Sequence, residues 1–429
     1  MSDILTIMTP VIVFEDEGFS NLLPLAYWRC CWELRVGYWS LLERLQAGLP
    51  AAEVSLYCRQ ILGDVTAERT GRPVNQVPAG DRVTFVNGRL LLTSPLRLDE
   101  RPGEPAPAVQ WLDGQAVAIR ADRRLASQLT PDVLLESGKT RQALAGVPAA
   151  PIVESPRLIR YPWDLVQANA AMLEADWRQA AEPAGLEGRV CEGAHLLNRQ
   201  GIHVGTGSTL KPGVVLDAEN GPIFIGDRVT IYPNVSIEGP CFIGDDSIVQ
   251  PGAALRDGMS IGRRCKVGGE LESSIIHGFS NKQHDGFLGH SYIAEWVNLA
   301  ADTVNSDLKN TYGQVRVPIN GLEVDSGQIF VGLTMGDHSK TGIGQMFPTG
   351  AVVGFGSNVA TCEFAPKFVP SFAWLTNGGW SAYEPERCLE IARRVMARRQ
   401  VVMTPAEEKL FRALPGYAAG IERVENKAT

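Results

Sequence analysis

The sequence has no Cys-x-x-Cys pair among its eight cysteines (30, 31, 58, 191, 241, 265, 362 and 388). That excludes a zinc ribbon or a dithiol redox motif. It has no uninterrupted apolar run of about 18 residues, the length a membrane-spanning helix needs. Nor does any stretch have the form of a secretory signal. A reduced, cytoplasmic setting with no membrane partner is the expectation. An excess of basic charge is missing as well: 40 Lys and Arg stand against 48 Asp and Glu, for a formal net charge of -8. Nucleic acid is therefore not expected as a partner, because a phosphate backbone needs a basic face. A phosphorylated small molecule remains open, since one or two local cations suffice for it.

What is present is length and a repeat. The 429 residues exceed one ordinary core, and two domains are the starting expectation. Counting in sixes gives Ile225, Ile231, Ile237, Ile243, Val249, Leu255, Ile261 and Val267 without a break. Neither an α-helix nor a plain strand returns a side chain to one face every sixth residue. Short strands joined by tight corners do, with each aliphatic pointing into a narrow stacked interior: a parallel β-helix of hexapeptide repeats. The spacing also appears at Val204, Leu210 and Leu216, at Ile293 and Leu299, and at Phe347, Val353 and Val359. The solenoid is expected from about Cys191 to about Val369, with interruptions over residues 271–289 and 307–327. Insertions project outward from stacked repeats, so the interruptions are where binding residues are sought.

Ahead of the repeat, residues 4–14 are apolar and β-prone and end at Glu15-Asp16-Glu17-Gly18. A loop and a helix over residues 38–45 follow, the opening of an α/β nucleotide-binding domain. Arg29 and Arg35 in that loop are candidates to hold phosphates, with solvated loop charges the equal alternative. Residues 51–62 are expected to be helical. Residues 81–92 read as a strand, an Asn87-Gly88 hairpin turn and a second apolar run. Residues 101–108 are a Pro-rich loop, residues 147–156 a linker or lid, and residues 161–177 a helix leading to the solenoid. Beyond the solenoid, residues 386–402 form an amphipathic helix. Thr404-Pro-Ala-Glu407 has the form of an N-cap opening a last helix.

The chemistry is sought in Lys282-Gln-His284-Asp-Gly-Phe287-Leu-Gly289-His290, where histidines and a lysine meet a break in the hexads. A neutral histidine near working pH can take the proton from an amine attacking a thioester. His338, in Gly336-Asp-His338-x-Lys340-Thr-Gly-Ile-Gly, is the rival base.

The string His284-x-x-Phe-Leu-Gly-x-x-x-Ile-x-x-x-Val-Asn298 resembles the acetyltransferase motif of the bifunctional uridylyl- and acetyltransferases that make UDP-N-acetylglucosamine. Leu-Leu-Pro-Leu-x-Tyr-x-Arg29-x-x-x-Glu-Leu-Arg35-Val-Gly37 and Ser306-Asp-Leu-Lys309-Asn-Thr-Tyr312-Gly resemble a divergent bacterial branch with the same plan. The resemblance implies a Rossmann-like α/β nucleotidyltransferase domain (1–180), a left-handed parallel β-helix acyltransferase domain (181–383) and a C-terminal helical segment (384–429). It implies a homotrimer acting on a sugar-1-phosphate, UTP and acetyl-CoA with Mg2+. Position by position, His284 matches the general base and Asn298 a sugar-site asparagine. Phe287 stands where the family has a phosphate-contacting Tyr. Lys282, Lys309, His338 and Lys340 are substrate-binding candidates, and Arg29, Arg35 and Asp16 nucleotide-binding ones. The family's Gly-rich phosphate loop is missing here. Arg35 falls where its lysine would stand, and Asn87 falls where its metal-binding Asp would stand, a weaker neutral ligand for Mg2+.

Overall fold

The computed structural model describes residues 10–49, 52–92, 107–152, 157–179 and 184–423. The start of the first apolar segment (4–9), most of the Pro-rich loop (101–106) and residues 153–156 of the linker lie outside them. The chain forms two compact units. Leu23–Tyr27, Arg35–Tyr38 and the chain from Tyr161 onward make up the second, and the remainder the first. The helix Pro162–Gln179, expected within the first domain, therefore belongs to the second unit.

The first unit is built on a five-stranded sheet. Val11–Phe14 is second in the order, parallel to the edge strand Val54–Tyr57 on one side and to the central strand Arg82–Asn87 on the other. Gln115–Asp122 and Ala108–Leu112 continue it antiparallel. Val11–Phe14 and Val54–Tyr57 are buried at every residue, as parallel strands covered on both faces must be. This overturns the helix expected over residues 51–62. The run Val-Ser-Leu-Tyr is a strand in register with Val11–Phe14, and the helix begins only at Gly63. Burial on both faces decided it, a tertiary effect that overrides local preference.

The expected Asn-Gly hairpin is absent too. After Arg82–Asn87 the chain turns away, and Leu90–Leu91 pairs with Arg157–Leu158. A side chain at Gly88 would collide with Trp32 and the Phe14 carbonyl, so here the glycine serves a close approach.

In the second unit, three parallel faces wind into a β-solenoid. The first face has ten strands, from Gly185–Leu186 to Phe368–Val369. The second and third begin at Arg189–Val190 and His195–Leu197. Every aliphatic or aromatic counted in the hexads above is at most 1% exposed and joins one continuous core. Each such side chain contributes roughly 1.5–3 kcal/mol by burial.

On six consecutive coils the first corner carries a non-glycine residue in the left-handed region: Arg228, Asp246, Arg264, Phe279, Trp296 and His338, with φ between 54° and 62°. Each costs about 1–2 kcal/mol of backbone strain. Side-chain ladders offset it. Arg228 Nε bonds Asp246 Oδ1 at 2.7 Å, and the Phe279 and Trp296 rings stack at 4.3 Å. Buried serines knit the same corner. Ser208, Ser247, Ser280 and Ser339 each donate to a carbonyl of the next coil and accept an amide from it.

The region 271–289 is not an outward insertion. Ile275–Ile276, Asn281–Lys282 and Phe287–Gly289 continue all three faces. The hexad count fails there because the coil is shortened: Ile261 pairs with Ile276 and Val267 with Lys282. The second interruption is a true insertion, containing the antiparallel hairpin of Arg316–Ile319 and Leu322–Asp325. After it Tyr292–Ile293 pairs with Thr334–Met335.

Arg35–Tyr38 forms a strap on the first face. The Tyr38 ring packs 5.1 Å from that of Phe224 and 4.8 Å from that of Phe242. Two buried polar side chains of the helix Pro162–Gln179 hold the strap. Asn169 Oδ1 accepts from the Gly37 amide and Asp176 Oδ2 from the Tyr38 amide, both at 2.8 Å. Pro385–Ala397 and Pro405–Ala419 are the terminal helices, the second opened by the expected Thr404/Glu407 capping box.

Candidate functional site

In the solenoid, the expected base lies on the corner between the strands Asn281–Lys282 and Phe287–Gly289. Lys282 is in register with Val267 and points into the core, 1% exposed. Its Nζ donates to the main-chain carbonyls of His284 at 2.5 Å and of Asp285 at 2.8 Å. An inward ammonium thus fixes the backbone of the turn that carries His284. Burial pushes the Lys282 pKa down to about 8, with Asp285 and Asp302 pulling it back up. His284 itself is exposed, its Nε2 3.0 Å from the Gln283 amide nitrogen. Phe287 is half-buried on the third face.

Asn298 and Lys340 lie side by side on the outer surface of the second face. Asn298 bridges Asn281 on one coil and Lys340 on the next, and Asn281 Nδ2 donates to Asn298 Oδ1 at 3.2 Å. Arg399, just beyond the helix Pro385–Ala397, reaches this strip and donates to Asn281 Oδ1 at 2.5 Å. Lys340 Nζ donates to the His338 carbonyl at 2.8 Å, and burial lowers its pKa. Lys309 stands apart in the insertion, closing its own turn through the Gln314 carbonyl at 2.9 Å.

His338 is 1% exposed, between Trp296 at 6.1 Å and the edges of Phe355 and Phe411. It occupies a corner of the aromatic ladder, out of reach of a soluble substrate.

In the first unit, Glu15, Asp16, Arg59, Asn87 and Arg89 gather at the carboxyl ends of the three parallel strands, where the strand order reverses. Open α/β sheets bind ligands at such a switch point. A cleft there is lined by Asp16, Trp111, Gln115, Ser137, Thr140 and Arg141. Asp16 is gripped by Arg89, with Nε to Oδ1 at 2.7 Å and Nη2 to Oδ2 at 2.6 Å. Glu15 is gripped likewise by Arg59, at 3.0 and 3.1 Å.

Asn87 is fully buried. Its Nδ2 donates to Asp16 Oδ2 and to the Ala116 carbonyl, and its Oδ1 accepts from the Arg89 amide. As a proposed ligand it does not fit Mg2+: it has no exposed surface, and the neighbouring carboxylate faces a guanidinium instead. Arg29 is buried in the first unit, its carbonyl accepting from Arg59 Nη2 at 3.2 Å. Arg35 belongs to the second unit. Its guanidinium lies 5.4 Å from the Phe242 ring, and its amide donates to Tyr292 Oη at 2.9 Å. That makes Arg35 part of the strap, where its arginine character serves packing.

Residues 11–182 match the family model described as sugar nucleotidyl transferase. The N-terminal region is nucleotidyltransferase-like. The match bears out the resemblance read from the motifs. The chain is 33% identical over 85 residues to the bifunctional sugar-1-phosphate nucleotidylyltransferase/acetyltransferase of Sulfurisphaera tokodaii, covering 20% of this chain and 21% of that protein. It is 27% identical over 130 residues to the bifunctional protein GlmU of Rippkaea orientalis, covering 30% and 27%. These alignments span only about a quarter of the relatives' own lengths.

Among solved structures, the UDP-N-acetylglucosamine acyltransferase from Campylobacter jejuni is similar at 13% identity and a TM-score of 0.27, over 52% of this chain and 95% of that one. The Arabidopsis UDP-N-acetylglucosamine acyltransferase is similar at 13% and 0.24, over 57% and 86%.

Two groups escaped the sequence reading. The arginines 59 and 89 are spaced from their carboxylates by whole strands, so no local pattern links them. His290 was visible beside His284, but its partners Glu272 and Asp307 lie on other coils.

Proposed function

We propose that the protein is a bifunctional sugar-nucleotide transferase: the solenoid acetylates glucosamine-1-phosphate from acetyl-CoA, and the N-terminal domain joins the product to UMP from UTP, giving UDP-N-acetylglucosamine. The observation that carries this reading is the exposed His284 on a backbone turn pinned by the interior Lys282, in a chain whose other half matches sugar nucleotidyl transferases. The similarity to two bifunctional proteins supports it.

In the acetyl step, neutral His284 accepts a proton as the sugar amine attacks the thioester carbonyl. A C–N bond forms, the C–S bond breaks, and the thiolate leaves to be protonated. Lys282 is a positioning residue that holds the His284 turn. Asn298 and Lys340 are proposed for the sugar phosphate. His338 is dropped as a base because no substrate proton can reach its ring.

For nucleotidyl transfer, the cleft beside Asp16 is proposed for the nucleotide and sugar phosphate. Mg2+ would neutralise triphosphate charge as in other such reactions. No step is assigned through Asn87. A homotrimer and a cytoplasmic location go with this reading.

The buried Asp16–Arg89 pair beside Asn87 favours one variant reading, an acetyltransferase whose N-terminal domain has changed its nucleotide chemistry. Purified protein given glucosamine-1-phosphate and acetyl-CoA, then UTP and Mg2+, tests both. Thiol release followed by pyrophosphate release supports the bifunctional reading, and thiol release alone supports the variant. Neither signal would contradict both.

A further inference from the structure

The corner that ends the third face holds a second cluster of chemistry-bearing groups, which the proposed acetyl transfer does not use. Glu272 closes the strand Glu270–Glu272, His290 follows Phe287–Gly289 on the next coil, and Asp307 follows Val304–Asn305 on the coil after that. One donor atom from each lies within 4.8 Å of the other two. His290 Nδ1 and Asp307 Oδ2 are 2.8 Å apart. Two donors sharing one small divalent ion, with bonds of about 2.1 Å, sit about 3 Å apart, so this spacing suits a shared ion.

The corner is built to hold these side chains. A Cβ at Gly289 would collide with the Asp307 carboxylate, so glycine there leaves it room. The Asn305 amide grips the Gly289 backbone from both sides, accepting from its N–H and donating to its carbonyl, each at 3.0 Å. The imidazole stacks on Phe330 at 4.9 Å, with its backbone in the left-handed region at φ 46°. The returning end of the insertion closes the site: the Val331 amide donates to the Asp307 carbonyl and the Gly332 amide to the His290 carbonyl, both at 2.9 Å. The Glu272, His290 and Asp307 side chains keep 16%, 19% and 11% of their surface, enough for an ion to enter.

The surrounding charge is negative. Arg256 bridges Asp257, Glu270 and Glu272, and Asp307 adds a further carboxylate. Arg256 Nε occupies Glu272 Oε2 at 2.8 Å, which leaves the other Glu272 oxygen for a ligand.

We propose that Glu272, His290 and Asp307 form a divalent transition-metal site on the solenoid, separate from the His284 corner. One imidazole nitrogen and two carboxylate oxygens suit Zn2+ or Mn2+, where an all-oxygen set would suit Mg2+ or Ca2+. The His290–Asp307 hydrogen bond is the competing structural account, and the two separate on metal.

The full-length protein is stripped with chelator, then titrated with Zn2+ and with Mn2+ by calorimetry and followed by thermal melts. One site per chain and a raised melting temperature are expected for at least one ion. H290A and D307N should each weaken that binding tenfold or more, while H195A, at an exposed histidine elsewhere on the solenoid, leaves it unchanged. D307N keeps the shape of the site, so it decides the matter if H290A does not fold. No binding, or undiminished binding in D307N, would overturn the site. Because the readout is metal affinity, its failure says nothing against acetyl transfer, and loss of acetyl transfer says nothing against the metal.

Discussion

The Lys282 ammonium, one layer inside the solenoid, donates to the His284 carbonyl at 2.5 Å and so links the core to the proposed base. The bond places a charged group where the preceding coils put Ile231, Val249 and Val267. Burial brings the Lys282 pKa from 10.5 to about 8. Between those values the unfolded chain binds more protons than the folded one, so stability rises with pH across that window. Below about pH 8 the full cost of the buried charge remains. Melting temperatures of wild type and K282M should therefore converge, or shift further in favour of wild type, between pH 8 and 10. Parallel curves would contradict the assignment.

K282M should also lower kcat for acetyl transfer about tenfold with little change in KM, the order expected when a catalytic group is displaced by a fraction of a turn. Steady-state kinetics at pH 7 check this.

Asp16 and Arg89 form a buried bidentate pair. Removing one partner from such a pair strands the other charge, at about 3–5 kcal/mol. R89M should lose that much in urea unfolding. D16N, which leaves the guanidinium with the Gln115 and Ile159 oxygens, should lose less. Equal, small losses would mean that the pair is not formed.

The hexad core predicts its own contrast. I237A removes a fully buried side chain and should cost about 2–5 kcal/mol. I343A, at a side chain 79% exposed, should stay within about 0.5 kcal/mol. Urea midpoints measure both.

H338A should behave as a core variant. Its ring stacks with Trp296 and meets Phe355 and Phe411, so the melting temperature should fall while acetyl transfer per folded molecule is kept. A stable but inactive H338A would restore it as the rival base.

The solenoid was legible because a period of six has no other explanation, and its inward positions could be counted directly. The coil carrying Lys282 was misread as an insertion because the reading assumed that inward positions are apolar. A lysine satisfied by two main-chain carbonyls fills one instead. The strand Val54–Tyr57 was missed because burial on both faces removes the alternation that marks a strand. Asp16 and Asn87 could be named individually, but the Arg89 guanidinium that engages Asp16 arrives from another strand end. Pairings across strands leave no spacing to read. The surroundings of Arg35 leave no spacing either: its partners Tyr292 and Phe242 lie more than 200 residues along the chain.

The most direct measurement is thiol release from acetyl-CoA with glucosamine-1-phosphate, comparing wild type with H284A. His284 is exposed, so the variant should melt with wild type. A fall in kcat/KM of about 10²–10⁴-fold is the result expected for loss of a general base. An H284A protein that releases thiol at the wild-type rate would contradict the assignment of this corner as the acetyl-transfer site.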